Sequence, residues 1–188
     1  MPLSEPSSRN HKHTRQIFCQ GFERDDGLWD IEATLTDDKT HSYVNHDRGE
    51  IPAGEPVHLM QVRIALDLDL VIHEIETCTD FTPFRLCQRA KTAMDGLVGL
   101  QIGPGWMREA RSRVPVTEAC THLFELLGPL ATTAYQTMHW AIEARDSKQK
   151  DRTPPKILDT CVSLQRHTTV VKAEWPEFAK DKTNKHEP

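Results

Sequence analysis

"VHLMQVRIALD" (57–67) and "LVIHEIETC" (70–78) flank Leu68-Asp69, and the reading of this pair decides the fold class. Both segments are rich in β-branched residues and too short between breaks for a helix, so they predict an antiparallel hairpin. Working outward, "GLWDIEATLTD" (27–37) alternates cleanly, with Trp29, Ile31, Ala33 and Leu35 on one face and Asp30, Glu32, Thr34 and Thr36 on the other. That is the pattern of a strand buried on one side. A further strand is expected at 14–22. The polar, turn-rich stretch "DDKTHSYVNHDRGEIPAGEP" (37–56) reads as a long loop without regular structure.

After Pro83 the periodicity changes. Leu86, Ala90, Ala93 and Leu97 have helical spacing, which predicts a helix over 84–98, ended by Gly99, Gly103, Pro104 and Gly105. A short helix is expected in "GWMREARSRV" (105–114). A long one is expected over 118–146, with Thr117 as N-cap, Pro129 bending it, and a stripe of Leu123, Leu126, Leu127, Leu130, Ala134, Met138 and Ile142 toward a core. "ILDTCVSLQRHTTVVKAEW" (157–175) reads as one more hairpin or strand pair packed on the sheet. The expectation is therefore an α+β fold: a mostly antiparallel sheet covered by two main helices. The polar ends, 1–12 and 179–188, are expected to be disordered tails around a single domain, 13–178.

Composition excludes several function classes. With 188 residues, 37% hydrophobic and 27% charged, the chain can bury a core, and a net charge of −5 without any basic block argues against nucleic acid as a partner. No apolar run is long enough to span a bilayer and the N-terminus resembles no signal peptide, so the expectation is a cytoplasmic protein without a membrane partner. Five widely spaced cysteines without a CxxC pair argue against a disulfide framework. Neither substrate nor oligomeric state follows from the sequence, and a homo-oligomer stays open.

The candidate chemistry gathers around the long helix. His122 and Glu125 lie three residues apart on one side, Thr132 and Gln136 continue the polar track, Thr121 and Tyr135 adjoin it, and no Lys or Arg follows until Arg145. An exposed face usually carries both signs of charge, so this track is expected to face a pocket, with Glu125 raising the pKa of His122. His58 is in phase with Met60, Val62, Ile64 and Leu66 and points to the apolar face, whereas Arg63 has the opposite parity; the two share a site only if a bulge intervenes. Glu32 is an ordinary wet-face carboxylate unless a helix covers it, in which case it needs a partner such as Arg24, Arg63 or Lys39. His58, His122, Glu125, Arg63 and Glu32 are the candidate catalytic residues, Arg63 as a group that binds or protonates a phenolate. Trp29, Lys39, Trp106, Thr121, Tyr135 and Gln136 are the candidate substrate contacts, the aromatic rings by stacking. His11 and His13 resemble a chelator and read as surface decoration. Cys120 is a small residue in a helix's first turn or a ligand or nucleophile.

"HTRQIFCQGFERDDGLWDIEATLTDDK", "AGEPVHLMQVRIALD", "LVGLQIGPGW" and "CTHLFELLGPLATTAYQ" together resemble a bacterial family catalogued as domain of unknown function 2889, over most of residues 13–175, with Ala119 in place of an expected glycine. The resemblance implies a companion of aromatic-compound catabolism: a cofactor-free lyase releasing formaldehyde from a hydroxymethyl group of a lignin-derived phenolic, through a quinone methide, with a small aromatic substrate as the partner and no metal or other cofactor. The order of hairpin, "CQRAKTAMDGLVGL" and a helix opened by "ACTHL" is also similar to iron–sulfur scaffold proteins of the NifU and SufU type. That similarity implies an alternative metal set of Cys87, Cys120 and His122, with Asp80 beside them. The glycine-rich metal loop is missing. A non-catalytic small-molecule-binding module is the third reading.

Overall fold

The computed structural model describes residues 3–115, 117–148 and 153–181. The chain forms two compact units, 1–142 and 143–188. The first is α+β. Its four-stranded antiparallel sheet has the order β1-β2-β5-β6, from β1 (His13–Glu23), β2 (Trp29–Lys39), β5 (Pro56–Leu66) and β6 (Ile72–Phe81). The tight turn between β5 and β6 is closed by Asp67, whose Oδ1 accepts from the backbone N–H groups of Asp69 and Val71, with Leu70 at φ 63°. The predicted hairpin is present.

Alternation along β2 and β5 sorts the side chains. Ile31, Ala33 and Leu35, with Met60, Val62, Ile64 and Leu66, are buried against α2 (Thr121–Asp146), whose Leu123, Leu126, Leu127, Leu130, Ala134 and Met138 are buried in the same cluster. Ile142, the last residue of the predicted stripe, is partly buried against that cluster. Gly21 on β1 lets the helix approach closely: a Cβ there would lie 2.1 Å from Thr137 Oγ1. The short helix α1 (Trp106–Arg113) adds Trp106 and Ala110 to the core.

Four expectations require correction. Residues 37–56 are not all loop: Asp37 to Lys39 complete β2, and β3 (Tyr43–Asn45) pairs with β4 (Gly49–Ile51) around a turn in which Asn45 Oδ1 accepts from the N–H groups of Asp47 and Arg48. The 84–98 segment is two 3-10 helices, Arg85–Ala90 and Thr92–Leu97, rather than one α-helix. Side chains tie it to β6: Thr77 Oγ1 donates to the Lys91 carbonyl, and the Gln88 amide both accepts from Thr79 Oγ1 and donates to the Thr79 carbonyl. These ties favour short tight turns over a free-standing helix. The long helix starts at Thr121, not 118, because the N–H groups of Glu118 and Ala119 turn back to the Pro115 carbonyl, leaving Thr117 outside the cap position. Finally, 157–175 is not a hairpin. This second unit holds a 3-10 turn at Val162–Leu164 and α3 (Thr169–Glu174), capped by Thr168 Oγ1, around a small core of Leu158, Val171 and Trp175.

Residues 3–12 carry no regular element, and most of 179–188 lies outside the described residues. Among the described residues no helix is long and apolar enough to cross a membrane.

Candidate active site

The alternation that buries Leu35 and Met60 continues for one more pair and brings a carboxylate and an imidazole to the helix-covered face of the sheet. Asp37 on β2 stands opposite His58 on β5, and β5 carries an extra residue, Val57, just before it. Asp37 is 3% exposed and His58 9%. Asp37 Oδ1 accepts from His13 Nε2 and from Arg15 Nε, each at 2.8 Å. Its Oδ2 accepts from Arg15 Nη2 at 2.7 Å and from His58 Nδ1 at 2.9 Å. The remaining arm of Arg15 reaches Glu125 Oε2 on α2 at 2.5 Å. A chain of charge-assisted contacts thus runs Glu125–Arg15–Asp37–His58. His122, from the first turn of α2, stacks on His58 with ring centroids 3.8 Å apart and planes tilted by 31°. Cys120 Sγ lies 3.8 Å from His122 Nδ1 and 3.8 Å from Met60 Sδ.

Electrostatics assign the protonation states. Burial opposes ionisation of Asp37, but the hydrogen bonds from Arg15 and His13 outweigh it and hold its carboxyl at about 2. An ionised Asp37 only accepts, so His58 Nδ1 carries the proton that it shares with Asp37. Burial, reinforced by His122, pushes His58 below its ordinary value and so favours the neutral ring. Its Nε2 is then a lone-pair acceptor. Burial, then Arg15, likewise pushes His122 down. The expected upward shift of His122 by Glu125 is overturned, because the carboxylate is spent on Arg15 and its pull is smaller than the burial effect.

His58 and His122 line a cleft of about 780 Å³, together with Phe84, Leu86, Cys87, Arg89 and the 117–121 turn. Its wall is mostly apolar, and its size suits a small organic molecule. Thr121 is also on this wall. Glu125 is exposed and borders a different hollow of about 430 Å³ with Met107, Arg111 and Phe124, joined to the cleft's residues through Arg15.

Other expected residues lie elsewhere. Arg63 and Glu32 face each other across β5 and β2 on the opposite side of the sheet, where Arg63 pairs with Glu76 and borders a shallow hollow with Cys78. Every residue of β5 from His58 to Leu66 pairs in unbroken register with β2, so no bulge turns Arg63 to the His58 face. Trp106 is a core residue, and Trp29 and Tyr135 pack against the core rather than on the cleft; burial pushes the Tyr135 phenol up. Gln136 is exposed, and Lys39 sits over the Tyr43 ring. Conversely, Asp37 and Arg15 are not among the residues expected from the sequence, and His13 is expected there only as surface decoration. The signal was there: Asp37 continues the Trp29–Leu35 face by two residues, and His13 and Arg15 share parity with Cys19 on the neighbouring strand.

Among the described residues, Asp37, His58 and His122 are the group of three potential metal donors whose ligand atoms lie within 4.8 Å of one another. A two-histidine, one-carboxylate set suits several transition metals. The fit is poor, because the four hydrogen bonds that Asp37 accepts would compete with the ion. Cys87 and Cys120 line the cleft but join no such group with His122, and Asp80 instead accepts from Cys78 Sγ and borders another hollow. Among the described residues, Cys87, Cys120 and His122 do not form a group with their ligand atoms that close together.

No curated protein and no solved structure matches the chain. One family model does, over residues 13–136, well over half of the chain and spanning every strand of the sheet and the first turns of α2. The chain therefore belongs to the family described as Protein of unknown function (DUF2889).

Proposed function

We propose that the protein is an acid–base enzyme in which His58, oriented by Asp37, is the proton acceptor. The observation that carries this reading is the 2.9 Å contact of His58 Nδ1 with a buried, ionised Asp37, which leaves Nε2 as a neutral base on the wall of a mostly apolar cleft. His122 is the second proton carrier, close enough to act on the same bound molecule. Asp37 is a positioning residue that fixes the tautomer, and Arg15 and His13 hold it ionised.

The reaction this arrangement supports is the carbon–carbon lyase step expected for a phenolic compound bearing a hydroxymethyl group. His122 carries the phenolic proton to a departing ether oxygen, and the electrons left on the ring expel that oxygen to give a quinone methide. His58 then takes the hydroxyl proton of the hydroxymethyl group. The alkoxide collapses to formaldehyde, the C–C bond breaks, its electron pair forms a new C=C bond, and the ring regains its phenolate, which is reprotonated. Electrons balance without an oxidant or reductant.

The test is formaldehyde release from phenolic dimers that carry a hydroxymethyl group. His58→Gln and His122→Gln are expected to lower kcat/KM by about 10² or more, with unchanged thermal midpoints. Arg63→Gln, on the far face of the sheet, is expected to keep full turnover. Wild-type turnover in both histidine variants, or no formaldehyde from the intact protein, would refute the assignment.

A further inference from the structure

Besides its two histidines, the cleft has a lopsided wall. Phe84 is 50% and Leu86 65% exposed, although both are large apolar side chains, and both border the cleft. Arg89 lies one 3-10 turn beyond Leu86, and with three residues per turn positions i and i+3 eclipse, so Leu86 and Arg89 present one combined face. Among the described residues Arg89 is the one cation on this wall, and its guanidinium has no acceptor or ion-pair partner there. Arg15, by contrast, already pairs with two carboxylates, Asp37 and Glu125, and does not line the cleft. The floor presents neutral imidazoles.

We infer that the cleft takes an aromatic carboxylic acid, its ring against Phe84 and Leu86 and its carboxylate on Arg89. A planar guanidinium matches a planar carboxylate through two parallel hydrogen bonds, and a single free guanidinium suits a monoanion better than a phosphate dianion. Glu118, which borders the same cleft, reinforces that preference by repelling excess negative charge. With Arg89 as the cation on this wall and both histidines neutral, a ligand carboxylate is drawn to the Arg89 end. The neutral part of the molecule then lies at His58. This assignment rests on the reading of the cleft as the substrate site and adds the substrate's charge.

The experiment is direct binding, by amide chemical-shift titration, of 4-hydroxy-3-methoxycinnamate and its uncharged primary amide to the full chain. The wild type is expected to bind the acid at least tenfold more tightly than the amide, with a preference that shrinks as salt is raised. Arg89→Gln is expected to abolish the preference while leaving amide affinity unchanged, Arg89→Lys to retain part of it, and Glu118→Gln to keep or increase it. Equal affinity for acid and amide, no binding of either, or a preference that persists in Arg89→Gln would overturn the inference. Since Arg89 is exposed, loss of fold is not expected, and the Lys variant reads the charge even if the Gln variant proves unstable. Binding is read without turnover, so failure of the lyase reading leaves the acid preference standing, and failure of the preference leaves the histidine chemistry standing.

Discussion

Replacing Asp37 with Asn removes the charge on which His13, Arg15 and His58 converge while keeping the side chain's shape. With its carboxyl at about 2 instead of 3.8, ionisation of Asp37 contributes about 2.4 kcal/mol to stability at pH 7. The sign follows from the depressed folded value: the contribution is complete above the ordinary carboxyl range and is lost as pH falls through the folded one. About 1.3 kcal/mol remains at pH 3 and about 0.4 at pH 2. The amide also leaves a buried donor facing two histidines and a guanidinium, so Asp37→Asn is expected to destabilise the protein by about 2–4 kcal/mol at pH 7. Urea unfolding of wild type and variant at pH 7, 4, 3 and 2 measures it, and the gap should close steeply below pH 4. Turnover should fall by a factor on the order of 10²–10⁴, because the Asn amide no longer enforces the Nδ1–H tautomer of His58. A gap independent of pH, or below about 0.5 kcal/mol throughout, would refute the claim that this carboxylate is ionised and held by its neighbours.

The depressed histidines set the pH profile: turnover should hold from the alkaline side to below 6.5, the ordinary histidine value, and then fall as His58 takes up a proton. Stability should fall in the same window, because the unfolded chain binds protons that the buried rings refuse, and His58→Gln should flatten that slope; an acid limb above 6.5 would contradict the burial argument. Gly21→Ala should cost about 1–3 kcal/mol, because its Cβ would meet Thr137 Oγ1 at 2.1 Å and Thr137 Cβ at 2.7 Å. Chemical denaturation of Gly21→Ala with and without Thr137→Gly checks this, since the second change should be less harmful in the Gly21→Ala background than alone.

What could be read from the sequence was whatever local periodicity determines. The alternation of Trp29 to Leu35 and of His58 to Leu66, and the leucine stripe of α2, each report a single element's buried face, and each is where it was expected. His58 and His122 were found by the same logic. Their partners were not, because the Asp37 environment depends on which strand lies beside β2: the register Arg15↔Asp37 is a long-range fact with no local trace. The error at 84–98 has the opposite origin. Helical spacing is satisfied almost as well by three residues per turn, and hydrogen bonds from Thr77, Thr79 and Gln88 decide between them. At 157–175 the expectation is a hairpin or strand pair, but the small core of Leu158, Val171 and Trp175 is made by a capped helical turn. Arg63 and Glu32 entered as candidates by residue type and were placed elsewhere by parity alone.

Among the described residues the strand order leaves β1 at the border of the sheet, with a neighbouring strand on one side only. Its first residues supply His13 and Arg15, so the groups that fix the Asp37 charge come from the end of an edge strand, where local opening costs least. Fraying of residues 13–15 would release the carboxylate, free the His58 ring and disarm the base while the hydrophobic core stays intact. On the proposed reading, readiness for proton transfer is therefore a sub-global equilibrium, separable from global folding, and exchange of the amide hydrogens at 13–16 is its natural reporter. A bound ligand that engages His58 would be felt as slower exchange at the far end of this chain of contacts, in a strand it never touches.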